Sequence, residues 1–400
     1  MSLDRKLRIL HVLNHVRETG NGIVNATIDL ACNQAQQGHR VAVASAGGQY
    51  EALLQQYGVE HFELNQHRTL ENIPKMVREY CRIVKTVRPH VVHGHMMVGV
   101  LLAWGYRHYE RIQSNHGVKL FSFLANDSSS QSRQEYAICA TVHNEFQRNA
   151  TLMGLADQLI CVSQAVANAM QQRGIAKSKL QVVLNGTLGS PRQRQKQSST
   201  SVGLSHPAIV TVAGMSRRKG ISELIESFSQ LSEKTPDINL YIVGDGPDRQ
   251  SFEQQALKTP FADRIHFEGF QDNPLAYMRE ADIFVLASHR EPFGLVLSEA
   301  RSAGCAIVAS DVDGIPEALD GGEAGLLCAP RDVSALETAL RQLIDNPKQL
   351  ETYQQRAQKN LSRFQVERVA QETLSVYGKM LSASVANRDE VTPSPSLAGV

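Results

Sequence analysis

The chain has 400 residues, of which 42% are hydrophobic and 20% charged, and its 41 Lys and Arg residues nearly balance its 40 Asp and Glu residues. This length exceeds the usual limit of a single hydrophobic core, so two domains are expected. The near-zero net charge argues against a nucleic-acid binder that relies on a global basic field. The chain lacks an apolar run of about eighteen residues, so no membrane-spanning helix is predicted. The start of the chain resembles a first strand rather than a signal peptide, and the 6 scattered cysteines, without a C-x-x-C pair, favour reduced thiols in a cytosolic protein.

The first half of the chain alternates short apolar runs with helical patterns. Strands are predicted at 7–13, 41–44, 59–64, 90–93, 137–142, 157–162 and 180–184. Such alternation predicts a parallel sheet with helices on both faces, which binds ligands at the carboxyl ends of its strands. The loop after the first strand contains Gly20 and Gly22 and precedes a helix at 23–37. This turn is compatible with a phosphate group, although an isolated G-x-G is equally typical of a tight connection.

Three histidines fall at the ends of predicted strands. His93 and His95 form an H-x-H at the end of the strand at 90–93, and His143 follows the strand at 137–142. An H-x-H pair can bind a metal, but no third ligand is evident nearby, so a metal site is the less favoured interpretation. For His143 the alternative to a functional role is a loop histidine with a structural hydrogen bond.

Three segments lack a strand or helix pattern. Residues 107–134 are polar and longer than a usual connection, which indicates either a functional loop or a mobile one. Residues 189–206 are polar and partly basic, and they are predicted to be a solvated linker, with contact to anionic lipid as the alternative. After helices predicted at 332–344, 347–361 and 367–381, the tail at 383–400 is expected to be disordered.

The second half restarts the pattern, with strands predicted at 208–213, 240–243, 265–267, 283–286 and 305–309. The first of these strands is followed by Gly214 and then by the cluster Arg217, Arg218 and Lys219, before a helix at 221–231. Basic side chains in this position offer charge and hydrogen-bond donors to a diphosphate. The turn from Gly244 to Pro247 is not a dinucleotide fingerprint, because a proline stands there and the third glycine is missing.

Two carboxylates follow the strand at 283–286. Pro292 holds Glu291 in an extended loop, and apolar spacing from about Gly294 predicts a helix that contains Glu299. The unpaired N–H groups at the start of this helix favour an anion, and they belong to Phe293, Gly294 and Leu295. Carboxylates accept hydrogen bonds from vicinal hydroxyls, so the pair beside an anion site suggests a nucleotide sugar. The alternative is two surface glutamates on a solvated helix.

These residues carry a resemblance to the retaining glycosyltransferases of family 4 (glycosyl transferases group 1). The E-x7-E spacing of Glu291 and Glu299 around Pro-Phe-Gly, together with Asp-Gly-Ile-Pro-Glu at 313–317, matches the family signature. The resemblance covers about residues 7–381 and is denser in the second half. It implies an α/β protein of the GT-B fold, with two doubly wound Rossmann-like domains that face each other across a cleft and a C-terminal helix that crosses back to the first domain.

The resemblance also implies a division of labour between the domains. Residues 1–188, completed by the helix at 365–382, would form the acceptor-binding domain, and residues 207–364 would bind the nucleotide-sugar donor. His93 and His95 would lie near the cleft, and we predict that the segment 107–134 contacts the acceptor.

Individual roles follow from the same resemblance. Glu299 would hold the ribose hydroxyls, Glu291 would accept hydrogen bonds from the donor sugar, and His143 would lie beside that sugar at the reaction centre. The other donor-binding candidates are Gly22, Gly214, Arg217, Gly244, Gly269, Phe270, Phe293, Gly294 and Leu295.

The basic cluster would neutralise the leaving diphosphate in place of a metal. Lys219 matches the family motif, whereas Met215 stands where an arginine is common, so that either Arg218 or Arg217 would supply the guanidinium. The D-x-D at 311–313 lies where the family has a loop that binds no metal, so no metal and no cofactor are expected.

The resemblance implies transfer of a sugar from a nucleotide diphosphate sugar to a glycan, a lipid or a small molecule. The anomeric configuration would be retained, because the acceptor would attack the face of the sugar from which the phosphate departs. The expected process is polysaccharide, lipopolysaccharide or glycolipid synthesis, in the cytoplasm or peripherally at the cytoplasmic face of the inner membrane, without nucleic acid. The donor base, the donor sugar and the acceptor stay open. The alternatives are a sugar-nucleotide epimerase or phosphorylase of the same fold, and a non-catalytic nucleotide-sugar-binding partner subunit.

Overall fold

The computed structural model describes residues 5–116, 136–146, 149–194, 201–235 and 237–389. These residues form two compact units, each built around its own parallel sheet. The first unit takes its described residues from Met1–Cys161, Ala167–Val183 and Val369–Val400, and the second takes them from Val162–Val166 and Leu184–Arg368.

The sheet of the first unit has seven strands in the order β3-β2-β1-β4-β5-β6-β7, and all its pairs are parallel. The strands are β1 (Arg8–Val12), β2 (Arg40–Ser45), β3 (Glu60–Glu63), β4 (Val91–Gly94), β5 (Ala137–Val142), β6 (Gln158–Cys161) and β7 (Leu180–Val182). The helices between them are α1 (Gly22–Gln36), α2 (Glu51–Gln56), α3 (Asn72–Val87), α4 (Met97–His116) and α5 (Gln164–Gln172). The central strands are apolar along almost their whole length because helices cover both faces of the sheet.

The sheet of the second unit has six parallel strands in the order β10-β9-β8-β11-β12-β13. The strands are β8 (Ala208–Val212), β9 (Asn239–Val243), β10 (Ile265–Gly269), β11 (Ile283–Leu286), β12 (Ala306–Ser310) and β13 (Leu326–Cys328). The helices, in chain order from the one that precedes β8, are α6 (Pro191–Arg194), α7 (Ile221–Ser232), α8 (Arg249–Ala256), α9 (Pro274–Glu280), α10 (Leu295–Ala303), α11 (Ile315–Ala318), α12 (Val333–Ile344), α13 (Pro347–Ala357) and α14 (Val366–Asp389). The two doubly wound parallel sheets confirm the predicted α/β architecture.

Each sheet has one point where the strand order reverses. It lies between β1 and β4 in the first sheet and between β8 and β11 in the second. Because the connections on either side of such a point leave in opposite directions, a crevice opens at the carboxyl ends of the two strands and is the usual ligand site of these sheets. The predicted basic and acidic cluster follows β8 and β11, whereas His93 and His95 lie at the end of β4 and His143 follows the neighbouring strand β5.

The last helix, α14, belongs to the first unit from Val369 onward. Its side chains Leu374, Tyr377 and Met380 are buried in the same core as Leu7 and Ile9 of the first strand region. The prediction of a C-terminal helix that returns to the first domain is therefore confirmed. None of the helices in the described ranges is both long and apolar enough to cross a membrane.

Three predictions about irregular segments need correction. Residues 107–116 belong to helix α4 rather than to a loop, and Arg107 donates to Asp157 Oδ2 at 2.5 Å; residues 117–134 of that segment, with the predicted acceptor contact, lie outside the described residues. The linker contains the helical turn α6, for which Pro191 supplies the fixed φ of a helix start, and both Ser190 just before it and Arg192 within it are buried. Helix α14 continues to Asp389, so residues 383–389 are helical, and the rest of the predicted tail lies outside the described residues.

Candidate active site

Glu291 lies in a loop after β11 that its neighbours fix from both sides. Its backbone N–H donates to Asp313 Oδ2 at 2.8 Å, and its carbonyl accepts from the N–H of Gly314 at 3.0 Å. Asp313 also accepts from Arg290 Nε at 2.9 Å. The D-x-D aspartate is thus occupied in positioning the Glu291 backbone, which is a role that the sequence analysis did not identify.

The Glu291 side chain faces two cations. Its carboxylate is 11% exposed, and Oε2 accepts from Lys219 Nζ at 2.5 Å while Arg218 Nη1 lies 3.7 Å away. Ser288 Oγ is 3.4 Å from the same oxygen, and Arg218 also donates to the Arg290 carbonyl at 2.5 Å. Lys219 and Arg218 thus place two cationic groups at this strand end, and such groups bind anionic ligands.

A glycine next to Lys219 brings the basic residues to this site. Gly220 has a φ of 67°, and a Cβ there would lie 1.8 Å from the Ala287 carbonyl oxygen. The turn after β8 therefore packs directly against the end of β11, and the N–H of His289 donates to the Arg218 carbonyl at 2.8 Å. The Lys-Gly pair of the sequence motif has a physical reason: only glycine permits this approach.

The two arginines of the cluster point to different partners. Arg217 is 87% exposed in its side chain and lies 3.8 Å from Asp248, whereas Arg218 lies beside Glu291. Met215 is fully buried, and its N–H donates to the Asp245 carbonyl at 2.8 Å. Met215 is thus part of the core, and Arg218 is the arginine that the structure brings to the carboxylate.

The predicted glycine turns surround the same strand ends. A Cβ at Gly244 would lie 2.1 Å from the Ala213 carbonyl oxygen, and one at Gly246 would lie 2.4 Å from the Met215 carbonyl oxygen. These glycines allow the loops after β8 and β9 to pack against each other. Gly214 is less confined, because the nearest atom to a Cβ there would be 3.9 Å away.

Helix α10 begins at the predicted position. Gly294 has a φ of 81° immediately before the helix, and Phe293 is 2% exposed. Among the described residues, no acceptor meets the N–H groups of Phe293 or Gly294, and the first helical residue, Leu295, has no intrahelical acceptor by geometry. Within the helix, Glu299 Oε1 accepts from Gln193 Nε2 at 3.1 Å, a partner that the sequence analysis did not predict.

Three further candidates lie at the ends of other elements. Gly269 ends β10 with a φ of 68°, and Phe270 beside it is 45% exposed. Gly22 is the first residue of α1, and the Asn21 side chain caps that helix by accepting from the N–H of Ile23 at 3.0 Å.

A second polar cluster lies at the reversal point of the first sheet. His11 on β1 is paired in register with His93 on β4. His11 Nε2 is 2.8 Å from Gln34 Oε1, His11 Nδ1 is 2.9 Å from His95 Nε2, and His95 Nδ1 is 3.1 Å from His143 Nε2. The predicted His93, His95 and His143 therefore come together, with the His93 and His95 rings stacked at 4.3 Å, and they join His11 and Gln34, two residues that the sequence analysis missed.

His93 makes a separate branch of this cluster. Its Nδ1 is 2.5 Å from Tyr377 Oη and its Nε2 is 2.7 Å from Thr141 Oγ1. Alternation along the first strand could have revealed His11, but nothing local marks Tyr377, which is contributed by the last helix.

Burial keeps the histidine cluster neutral. It lowers the pKa of His11 and of His143 to about 4. Burial also lowers the pKa values of His93 and His95 well below their usual range, and the neighbouring histidines would repel a second proton. At neutral pH these rings act as hydrogen-bonding groups and carry no charge.

The same histidines include a group with metal-ligand spacing. Within the described residues, possible ligand atoms of His11, His93 and His95 lie within 4.8 Å of one another. All six ring nitrogens of these residues, however, already have a hydrogen-bond partner in the protein. Because one bond joins His11 Nδ1 to His95 Nε2, a metal ion on one nitrogen of each ring would have to displace at least two of these bonds.

The fold and the charged site together define a class of protein. Two Rossmann-like parallel sheets with a basic and acidic cluster at the reversal point of the second are the architecture of GT-B glycosyltransferases. The chain superposes on a crystal structure of Anabaena HepE in complex with UDP and glucose with a TM-score of 0.73 and 20% identity. The superposition covers 93% of this chain and 99% of that one. Sucrose-phosphate synthase from Thermosynechococcus elongatus superposes with a TM-score of 0.72 and 19% identity, over 94% of this chain and 99% of that one.

Sequence comparison identifies the family. The model of Glycosyltransferase Family 4 matches residues 20–187, and that of Glycosyl transferases group 1 matches residues 192–360. A glycogen synthase of Mycobacterium tuberculosis is 30% identical over 319 residues, which cover 78% of this chain and 72% of the relative. The chain belongs to the family 4 glycosyltransferases.

The predicted site residues thus fall into two groups. Glu291, Lys219 and Arg218 lie together in the second unit, with Glu299 on the helix that follows. His143 lies in the first unit with His93 and His95.

Proposed function

We propose that the protein transfers a sugar from a nucleoside diphosphate sugar to an acceptor with retention of the anomeric configuration. The observation that carries this proposal is the cluster of Lys219, Arg218 and Glu291 at the carboxyl ends of β8 and β11. Its two cationic groups lie at the point of the sheet where ligands of this fold class bind. The complex of Anabaena HepE with UDP and glucose makes UDP-glucose the first donor to test.

The basic residues would act on the leaving group. As the glycosidic bond breaks, negative charge develops on the diphosphate, and fixed cations lower the barrier most when they are already in place. Lys219 and Arg218 are held by Glu291 and by the Arg290 carbonyl, so both are oriented before the donor arrives. These two side chains would supply the charge that a metal ion supplies elsewhere, which supports the proposal of metal-independent transfer.

The carboxylates would hold hydroxyl groups. Glu291 would accept from hydroxyls of the donor sugar and Glu299 from those of the ribose, where the Gln193 amide now donates. Retention would follow from attack on the face that the phosphate leaves, with a phosphate oxygen taking the proton of the acceptor hydroxyl. The acceptor hydroxyl oxygen then bonds to the anomeric carbon, and the nucleoside diphosphate departs with the electron pair of the broken bond.

The acceptor would be a growing glycan, a lipid-linked sugar or a small molecule. The glycogen synthase relative favours a glycan acceptor. We also propose that the protein works in the cytoplasm, with peripheral association to the membrane where the acceptor is lipid-linked.

The test compares two neighbouring cations. Thermal-shift and turnover assays with UDP, GDP, ADP and their sugars, with and without EDTA, identify the donor, since a ligand that binds only the folded state raises the melting midpoint. With that donor, Lys219→Gln should lower kcat by about 100-fold, whereas Arg217→Gln, which changes an exposed side chain in the same triplet, should change it less than threefold.

Three outcomes would contradict the proposal. Equal loss in the two variants would argue against a specific role of Lys219, and abolition of turnover by EDTA would refute the metal-free site. Conversion of the donor sugar without any acceptor would indicate an epimerase.

A further inference from the structure

The histidine cluster of the first unit is a directed chain of hydrogen bonds. It runs from Gln34 through His11 and His95 to His143, with heavy-atom distances of 2.8, 2.9 and 3.1 Å. Gln34 and His11 are fully buried and His95 is 3% exposed, whereas His143, at the other end of the hydrogen-bond chain, is partly exposed. A neutral imidazole has one N–H donor and one acceptor nitrogen, so each ring passes a fixed direction on to the next.

The direction follows from the amide at the buried end. The Gln34 oxygen can only accept, so His11 Nε2 carries its proton and His11 Nδ1 is an acceptor. His95 Nε2 must then carry a proton to donate to His11, and His95 Nδ1 accepts from Nε2–H of His143. Within the described residues, no partner meets His143 Nδ1, so that the lone pair of this atom is available at the exposed end.

The Gln34 amide turns its oxygen towards His11, since Oε1 lies 2.8 Å from His11 Nε2. The amide nitrogen is buried and has no hydrogen-bond partner among the described residues.

We infer that Gln34, His11 and His95 are positioning residues that hold His143 as the Nε2–H tautomer and so present its Nδ1 lone pair to a hydroxyl group of the sugar substrate. The inference rests on the proposed function for the identity of that ligand. An imidazole in the opposite tautomer would present an N–H and would meet a phosphate or carbonyl oxygen instead.

The arrangement explains why so many buried histidines are neutral and paired. If any ring of the hydrogen-bond chain were protonated, it would donate at both nitrogens, and the alternation of donors and acceptors would be broken. A metal ion on His11, His93 and His95 would also break this alternation, so the hydrogen-bond chain and a metal site exclude each other.

The first experiment reads the ring protons directly. In the full-length protein with 15N-labelled histidine, long-range proton–nitrogen NMR spectra at neutral pH should show His11, His95 and His143 as Nε2–H tautomers. An Nδ1–H tautomer of His143 would overturn the inference, and so would Zn²⁺ at one equivalent shifting the ring nitrogens of His11, His93 and His95 together.

Matched variants test the coupling. His95→Leu removes the acceptor that faces His143, so the His143 spectrum should change to a mixture of tautomers, and kcat/KM for the donor should fall about tenfold, the worth of one hydrogen bond. His95→Asn restores an acceptor near the position of Nδ1 and should recover both. Thr141→Val, which removes only a partner of His93, should leave the His143 spectrum unchanged. The inference would be overturned if Thr141→Val changed the His143 tautomer, or if His95→Leu left that tautomer unchanged.

Gln34, at the buried end of the hydrogen-bond chain, gives an independent check. Gln34→Glu keeps an oxygen acceptor and should leave His11 as the Nε2–H tautomer, whereas Gln34→Leu should give a mixture. A His11 spectrum that is unchanged in Gln34→Leu would contradict the assigned direction. The spectra are read in the free protein, so they decide this inference even if no nucleoside diphosphate sugar is turned over, which would refute the proposed function alone.

Discussion

The two units place chemically opposite clusters at equivalent points of their sheets. In the second unit, a buried carboxylate and two cations follow β8 and β11, where the strand order reverses. In the first unit, the reversal between β1 and β4 carries neutral histidines joined by hydrogen bonds. The topology therefore fixes where a site forms, and the side chains decide whether it acts through charge or through directed donors and acceptors.

The contrast has a physical basis in what each cluster can tolerate. Charges attract an anion over a distance and accept small errors of placement, because Coulomb energy falls off slowly. A hydrogen-bond chain is sensitive to each proton, because one ring with the wrong tautomer leaves a buried group without a partner. Variants and conditions that affect charge and proton position differently should therefore separate the two units.

Acid should have the largest effect and should act on the histidine cluster. Burial lowers the pKa of His11 from 6.5 to about 4, so between these two pH values the unfolded chain binds a proton that the folded chain does not. The contribution of this residue to the free energy of unfolding is fully present above about pH 6.5, and it is lost as pH falls towards 4, at about 1.4 kcal/mol per pH unit.

Denaturant unfolding at a series of pH values measures this slope. Among the described residues, the side chains that hydrogen-bond the histidine rings from outside the cluster, Gln34, Thr141 and Tyr377, carry no charge at these pH values, so none of these hydrogen bonds favours a protonated ring through a carboxylate. Between pH 4 and 6.5, His11→Gln should reduce the slope of the free energy of unfolding against pH by the amount that binding of one proton contributes. A slope that is the same in wild type and variant would show that His11 is protonated in the folded state.

Removal of charge from the second unit should affect catalysis more than folding. Glu291→Ala should lower kcat by about 10²–10³-fold, because it removes a group that we propose contacts the reacting sugar and that helps to hold Lys219 and Arg218. Glu299→Ala should act mainly on donor KM, because its proposed partner is the ribose. Steady-state rates at saturating donor distinguish the two, and equal losses of kcat would contradict separate roles.

The smallest predicted effect separates a close approach from a strained turn. Gly220 and Gly174 both have positive φ values, of 67° and 89°, but only Gly220 lies against a backbone carbonyl. Gly174→Ala should cost about 1 kcal/mol for its left-handed conformation, whereas Gly220→Ala should cost about 2–3 kcal/mol and also weaken donor binding. Chemical denaturation with donor titration measures both, and equal costs would mean that the turn before α7 relaxes freely.

Much of this architecture could be predicted because its signals are local. Apolar runs of strand length and helical spacing located the strands of both sheets except the short edge strand β13, which was not predicted, and Pro292 and Gly294 marked the loop and helix around Glu291. Where segments were misassigned, the local signal was weak: residues 107–116 are polar, yet they continue a helix whose earlier turns bury Val98 and Leu102.

The partners of the site residues could not be predicted, because they depend on sheet order and register. Tyr377 meets His93 from a helix 284 positions away in the chain. The role of Asp313 depends on a φ of 47° that turns its carboxylate to the Glu291 backbone. Similarly, the choice between Arg217 and Arg218 required knowing which way the turn at Gly220 faces.

The return of α14 to the first unit sets the order in which a ribosome can complete the molecule. The core around Leu7 and Ile9 includes Leu374, Tyr377 and Met380, so it cannot close until nearly the whole chain has been synthesised. The second unit, whose segments end at Arg368, emerges earlier and can fold first. The half of the chain that is translated first is therefore the half that matures last, and fragments that stop before α14 should expose an open apolar surface to chaperones.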